Sequence, residues 1–166
     1  MGKVDGDMPL SGHVEVDETV VGGRRHDGKR GRGATGKTII FGMLERDGDV
    51  MTRVVPNATR ATLEPHIVKN IAKGTTISSD QWVSYKKLSS IGYKHGAVDH
   101  SIDQWVDGVH HTNSLEGFWS MIKRSIRGTH VHVSAKHLAK YLGEFEFRYN
   151  LRHSPELMFL KLVESF

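Results

Sequence analysis

The sequence predicts an α/β fold, a mixed five-stranded sheet flanked by helices. Three observations lead there. Residues 13–56 alternate apolar and polar side chains with a high β-branched content, the period-two signature of strands. After Pro56 the period lengthens to that of a helix, and short β-branched runs then alternate with helical stretches as far as residue 98. Beyond residue 112 the patterning is helical. With 166 residues the chain is long enough for one domain with a proper core and too short for two ordinary ones.

The elements follow in order. "HVEVDETVV" (13–21) sets Val14, Val16 and Val20 among polar residues and reads as a first strand. A Gly- and Arg-rich loop comes next. "KTIIFGMLER" (37–46) is a second strand, "DGD" (47–49) a tight hairpin turn, and "VMTRVVP" (50–56) a third strand closed by Pro56. "TLEPHIVKNIAK" (62–73) spaces Leu63, Ile67, Val68 and Ile71 as a helix does, with Pro65 in its first turn and Gly74 as its stop. "TTIS" (75–78) is a short strand ending at Asp80, "QWVSYKKLSSIG" (81–92) a short helix and "YKHGAV" (93–98) a fifth strand. Helices are expected over 113–127, 134–150 and 155–165. Three antiparallel strands followed by alternating helices and strands is the order of the ribonuclease-H-like fold. Residues 1–11 are then an N-terminal tail and 12–166 one domain of that type.

Composition excludes several classes. No apolar run approaches the ~20 residues of a membrane span, and "MGKVDGDMPLSG" lacks the basic-then-apolar layout of a signal peptide. The absence of cysteine rules out disulfides and cysteine-based zinc sites, and favours the cytoplasm. A net charge of +4 hints at a polyanionic partner, and its distribution says more. Arg24, Arg25, Lys29, Arg30, Arg32 and Lys37 crowd into residues 22–37 against Asp27 alone. A second basic stretch, "KRSIRGTHVH" (123–132), carries Lys123, Arg124 and Arg127. Either run alone is also what a solvated loop looks like; both are expected to meet DNA phosphates.

"GRGATGKT" (31–38) matches the phosphate-loop pattern letter for letter. A working phosphate loop leaves a buried strand and enters a helix, whose N-terminus holds the phosphates. Here "RRHDGKR" precedes it and the strand-like "IIFGMLER" follows. A strand stands where a helix is required, so no nucleotide cofactor is expected.

Three acids stand out instead. Asp17 lies mid-strand, on the face opposite Val14 and Val16; a solvated acid on an exposed strand face would explain it, and Glu15 as well. Asp80 ends the fourth strand, where it could equally cap a following helix. Glu116 sits in the first turn of its helix, where N-x-x-E with Asn113 resembles a capping box. In a ribonuclease-H-like sheet the first and fourth strands are neighbours, so the three carboxylates converge at one edge. Such a cluster repels itself unless it holds hard divalent cations. On the Glu116 helix, Leu115, Phe118, Trp119, Ile122 and Ile126 form the apolar face, and Glu116, Ser120, Lys123 and Arg127 line an adjacent stripe. Lys123 lies two turns beyond Glu116, placed to hold a DNA phosphate while the acid holds metal. The histidine pairs at 110–111 and 130–132 lack evident further zinc ligands; His111 is expected to shape the mouth of the site. Trp119 is expected in the core and Trp105 as a base-stacking candidate, while "EFEFRYN" (144–150) reads as helix packing with Arg148 pairing an acid.

"GHVEVDETVVGG" (12–23), "SSDQWVSY" (78–85), "HTNSLEGFWSMIKRSIRGTH" (111–130) and "YLGEFEFRYN" (141–150) together resemble the catalytic domain of bacterial insertion-sequence transposases of the DDE type, in particular the ISXO-like branch. Thirty-five residues separate Asp80 from Glu116, a spacing typical of that type, and a lysine seven residues past the acid is a common companion. The resemblance implies DNA strand cleavage at transposon ends and strand transfer into a target, with two Mg²⁺ or Mn²⁺ ions. By position, Asp17 would bridge both metals, Asp80 and Glu116 would each hold one, Lys123 would contact DNA, and Asn113 would lend polar support. It further implies a homodimer or higher assembly on DNA and a cytoplasmic, nucleoid-associated enzyme. The zinc-ribbon or helix-turn-helix segment that usually precedes this domain is not in the sequence, so the chain reads as a catalytic domain alone. A catalytically inactive DNA-binding remnant is the alternative.

Overall fold

A computed structural model of the chain describes residues 8–22, 37–80, 83–98, 109–130 and 133–164. Its centre is a five-stranded sheet in the order β3-β2-β1-β4-β5. β1 (His13–Val21) pairs antiparallel with β2 (Thr38–Glu45), and β2 antiparallel with β3 (Val50–Val55). β4 (Thr76–Asp80) lies parallel to β1 on its other side, and β5 (Lys94–Val98) parallel to β4. The sheet is mixed as expected, with β1 at its middle. β2 begins directly after Lys37, so a strand does stand where a phosphate loop needs a helix. The hairpin turn of β2 and β3 carries Asp47 at φ 60°, a left-handed conformation that Asp tolerates better than most residues.

Helices cover both faces, and the alternation within each strand decides which side chains meet them. On one face, Val14, Val16, Phe41, Met43, Met51, Val55 and Ile77 pack with Leu63 and Ile67 of α1 (Arg60–Asn70). On the other, Val21, Ile40, Leu44 and Val50 pack with Leu115, Phe118, Trp119 and Ile122 of α2 (Asn113–Ser125). Leu138, Leu142 and Phe145 of α3 (Ala135–Asn150) complete that layer. α4 (Pro155–Val163) follows and buries none of its residues. Among the described residues, no helix is long and apolar enough to cross a membrane.

Two elements differ from expectation. α1 starts and ends earlier than 62–73: Ile71 instead bridges Leu10, whose N–H and C=O bond the backbone of Asn70 and Ala72. Pro65 therefore lies in the second turn rather than the first. Over 83–92 two short 3₁₀ turns, Val83–Tyr85 and Ser89–Ile91, replace a helix. The cause is spacing: Tyr85, Leu88 and Ile91 recur every three residues and all pack on the core, the period of a 3₁₀ rather than an α-helix. Gly92 at φ 94° then ends the run. Beyond Ser125 the predicted helix continues as a π-type turn, Ile126–His130.

β3 is an edge strand, and its open backbone groups would invite pairing with another chain. Two side chains one turn apart on α3 occupy them. Asn150 accepts from Val50 N–H at 2.8 Å and donates to its carbonyl at 3.1 Å, while Glu146 accepts from both the N–H and the hydroxyl of buried Thr52. On the opposite side of the helix Arg148 pairs with Glu144 at 2.7 Å, as expected. Glu146→Ala would strand two buried donors, so a loss of about 1–3 kcal/mol is expected. Urea unfolding measures it, and a change within experimental error would mean that water replaces the carboxylate without cost.

Candidate active site

The site is built on the alternation of β1. Val14 and Val16 enter the α1-side core, which turns Glu15 and Asp17 to the α2 side. That side is not solvent, and here the expectation for Glu15 fails: it is fully buried, because α2 lies across the strand. Glu15 accepts from Arg46 Nε at 2.8 Å, Ser114 Oγ at 3.0 Å and the Leu115 N–H at 3.0 Å. His111 Nδ1 lies 3.2 Å from it. The last two donors in that first group belong to the opening turn of α2, whose backbone N–H groups lack partners and carry partial positive charge. Glu15 thus does for α2 what a capping side chain would do, and Thr112 at the cap position makes no such bond itself.

One pleat further on, the side chain of Trp119 reaches Asp17. Its Nε1 donates to Asp17 Oδ2 at 3.1 Å, so the indole both fills the core and fixes the Asp17 carboxylate. Gly42 pairs directly with Asp17 across β1 and β2. A Cβ there would fall inside the indole at Cζ2, so the glycine leaves the seat that Trp119 fills. Lys123, one further turn along α2, is half-buried. Burial depresses the pKa of its ammonium, and the Asp17 carboxylate pulls it back up.

β4 brings the second acid. Glu15 is level with Ser78 in the parallel ladder, and two residues on in each strand come Asp17 and Asp80. Carboxylate oxygens of Asp17, Asp80 and Glu18 lie within 4.8 Å of one another. An octahedral Mg²⁺ with oxygens at about 2.1 Å spans about 3–4 Å between ligand atoms, so the donor set suits a hard divalent cation. Glu18 did not stand out in the sequence. It faces the α1 side, 6% exposed, with the buried Tyr85 phenol against it. Burial, then the charges of Glu18, Asp17 and Asp80, push that phenol well above its ordinary range and keep it protonated. The available signal was two consecutive acids in one strand, which must point to opposite faces.

Glu116 is in the first turn of α2 as expected, but it accepts from Thr112 Oγ1 at 3.0 Å and is not part of the three-acid group. The cap is Thr112, so N-x-x-E is not a capping box here, and Asn113 is exposed at the first helical position. Arg124 and Arg127 are exposed. Lys37 stands just before β2. Arg24, Arg25, Lys29, Arg30, Arg32 and Trp105 lie outside the described residues.

A family model described as the ISXO2-like transposase domain matches residues 9–150, which takes in every element from β1 to α3. The chain belongs to this family. It is also 30% identical over 101 residues to an uncharacterized transposase-like protein of Haemophilus influenzae, covering 61% of this chain and 80% of that protein. Within this ISXO2-like domain, Asp17, Glu18 and Asp80 come together, Lys123 lies within electrostatic reach of Asp17, and Glu116 is held by its own helix cap.

Gly42→Ala is expected to cost about 1–3 kcal/mol by overpacking against Trp119. Combining it with Trp119→Phe should cost less than the two single changes added together, because the smaller ring vacates the seat. Additive losses in urea unfolding would mean that the indole is not seated on Gly42.

Proposed function

We propose that this domain is a metal-dependent DNA strand-transfer enzyme of the DDE type, acting at the ends of an insertion sequence. The observation that carries the reading is the convergence of Asp17 and Glu18, from the middle of β1, with Asp80 at the carboxyl end of the adjacent parallel strand β4, in a chain of transposase family. The strand order and its mixture of antiparallel and parallel pairs support a ribonuclease-H-like fold. Three hard carboxylates at this separation suit Mg²⁺ or Mn²⁺. When bound, two such ions activate an attacking oxygen and stabilise the leaving one in phosphodiester chemistry.

The chain's own residues supply the rest. Asp17, Asp80 and Glu116 would hold the ions, and Glu18 would add a fourth carboxylate beside Asp17. Trp119 restrains one oxygen of Asp17. Lys123 takes a phosphate oxygen next to the scissile bond, and Asn113 offers a polar contact at the mouth. Arg124 and Arg127, with Lys37 and the arginines of the 22–37 loop, grip the DNA backbone. The partners are transposon ends and target DNA, with a homodimer or higher assembly in the cytoplasm.

The test is Mn²⁺-dependent nicking of supercoiled plasmid together with calorimetric Mn²⁺ binding. Asp17→Asn and Asp80→Asn should each lower nicking by about 10²–10³-fold or more, the scale of losing one charge-stabilising group at a reacting centre, and should weaken Mn²⁺ binding. Wild-type-like nicking in either variant would overturn the site. Metal and DNA binding without nicking in the wild type would favour the non-catalytic remnant. Arg124→Gln with Arg127→Gln should reduce the slope of log affinity against log salt by about 1.8; an unchanged slope would remove this face from the DNA interface.

A further inference from the structure

The segment that leads into α2 is fastened by a chain of hydrogen bonds with a definite direction. Arg46 donates through Nη1 to the Val109 carbonyl at 2.8 Å and through Nη2 to the His111 carbonyl at 3.0 Å, while its Nε holds Glu15. Its Nη1 also lies 3.2 Å from His13 Nδ1. His13 Nε2 is 2.6 Å from Ser78 Oγ, and Ser78 Oγ is 2.8 Å from His110 Nδ1. Gly96 of β5 leaves the space for the His110 ring, which any Cβ there would strike. The two imidazoles meet edge to face at 5.7 Å.

Arginine can only donate, and that sets the order. His13 Nδ1 must accept, so the neutral ring carries its proton on Nε2. Nε2–H then donates to Ser78 Oγ. The serine hydroxyl has one proton of its own, and among the described residues its other partner is His110 Nδ1. The hydroxyl can then donate to His110 Nδ1. A proton added to His13 Nδ1 would confront Arg46.

We infer that His13, Ser78 and His110 form a relay, ordered by Arg46, that holds residues 109–112 and the start of α2 against β1 and β4 only while the His13 imidazole is neutral. His13 and His110 are thus positioning residues: they act through the strap on Glu116, Trp119 and Lys123. This deepens the strand-transfer reading, on which its catalytic consequence rests.

The charged and titratable groups around the relay bear on its sign. Burial, then the Arg46 and His110 charges, push His13 below its ordinary range, with Glu15 opposing. His95, across the sheet and bonded to Ser79 at 2.8 Å, is also pushed down by burial and then by His110. His111 Nδ1 also faces Glu15, at 3.2 Å. For His13 and His95 the folded chain binds protons less readily than the unfolded one. Their contribution is therefore complete above an unfolded value of about 6.5 and lost as pH falls below it.

The experiment uses the full chain without metal or DNA. Long-range ¹⁵N NMR at pH 7.5 should show the His13 ring neutral with its proton on Nε2; a proton on His13 Nδ1 overturns the relay. Amide exchange at Leu115, corrected for intrinsic rate, should lose protection by about tenfold per pH unit for each proton taken up, below about pH 6.5. In a His95→Gln background, adding His13→Gln keeps the acceptor and donor of that ring without its titration. It should lose less protection than its parent between pH 7.5 and 5.5, and equal losses would overturn the proposal. Failure here leaves the catalytic reading standing, because plasmid nicking at pH 8 tests that separately.

Discussion

Everything at the candidate site hangs on the burial of one carboxylate. Glu15 is completely enclosed, yet it has a guanidinium, a hydroxyl and a helix N–H as donors. A charge taken out of water is costly unless it is so surrounded. Once it is, the arrangement tolerates little displacement, because moving α2 would take away two of its donors, Ser114 and the Leu115 N–H, and leave Arg46. The carboxylate also sits where the helix dipole is positive, so burying it and docking α2 favour each other. From that anchor the other distances follow. Two residues along β1 bring Asp17, four along α2 bring Trp119, and their hydrogen bond repeats the anchor one step further on.

Two glycines in strands make this close approach possible. Glycine weakens a strand, having no side chain to pack and more freedom to lose. Gly42 and Gly96 instead mark where rings from outside the sheet rest on its backbone: Trp119 on one, His110 on the other. Both lie on the face that carries Glu15 and Asp17, so α2 and the strap before it sit low on the sheet. The opposite arrangement governs β3, where α3 lends polar side chains to an edge instead of apolar ones to a face.

The acids themselves are held in tension. Asp17, Glu18 and Asp80 come from two strands and both sheet faces, meeting where β4 ends beside the middle of β1. Their mutual repulsion falls on a protonated Tyr85 beneath and a partly buried Lys123 above. Such a donor set suits a hard divalent cation, and Glu116 accepts from the Thr112 hydroxyl at the start of α2.

The order of elements along the chain and the candidacies of Asp17, Asp80, Glu116 and Lys123 were readable from residue pattern, because periods of two and 3.6 are local properties, whereas the pairing of β1 with β4 was expected from the fold class. The family is likewise carried by short runs such as "VEVDET" and "NSLEGFWSMIK". The 3₁₀ turns over 83–92 were less legible, since a spacing of three competes closely with helical spacing over so few residues. What pattern could not supply was which face of β1 is covered. An acid alternating with valines reads as solvated, and only the docking of α2 shows Glu15 buried and bonded. Glu18, Gly42 and the His13–Ser78–His110 order stayed invisible for the same reason. Sequence determined which residues share a strand or a helix. Tertiary structure decided which of them touch, because those contacts join positions up to a hundred residues apart and depend on burial that no local pattern encodes.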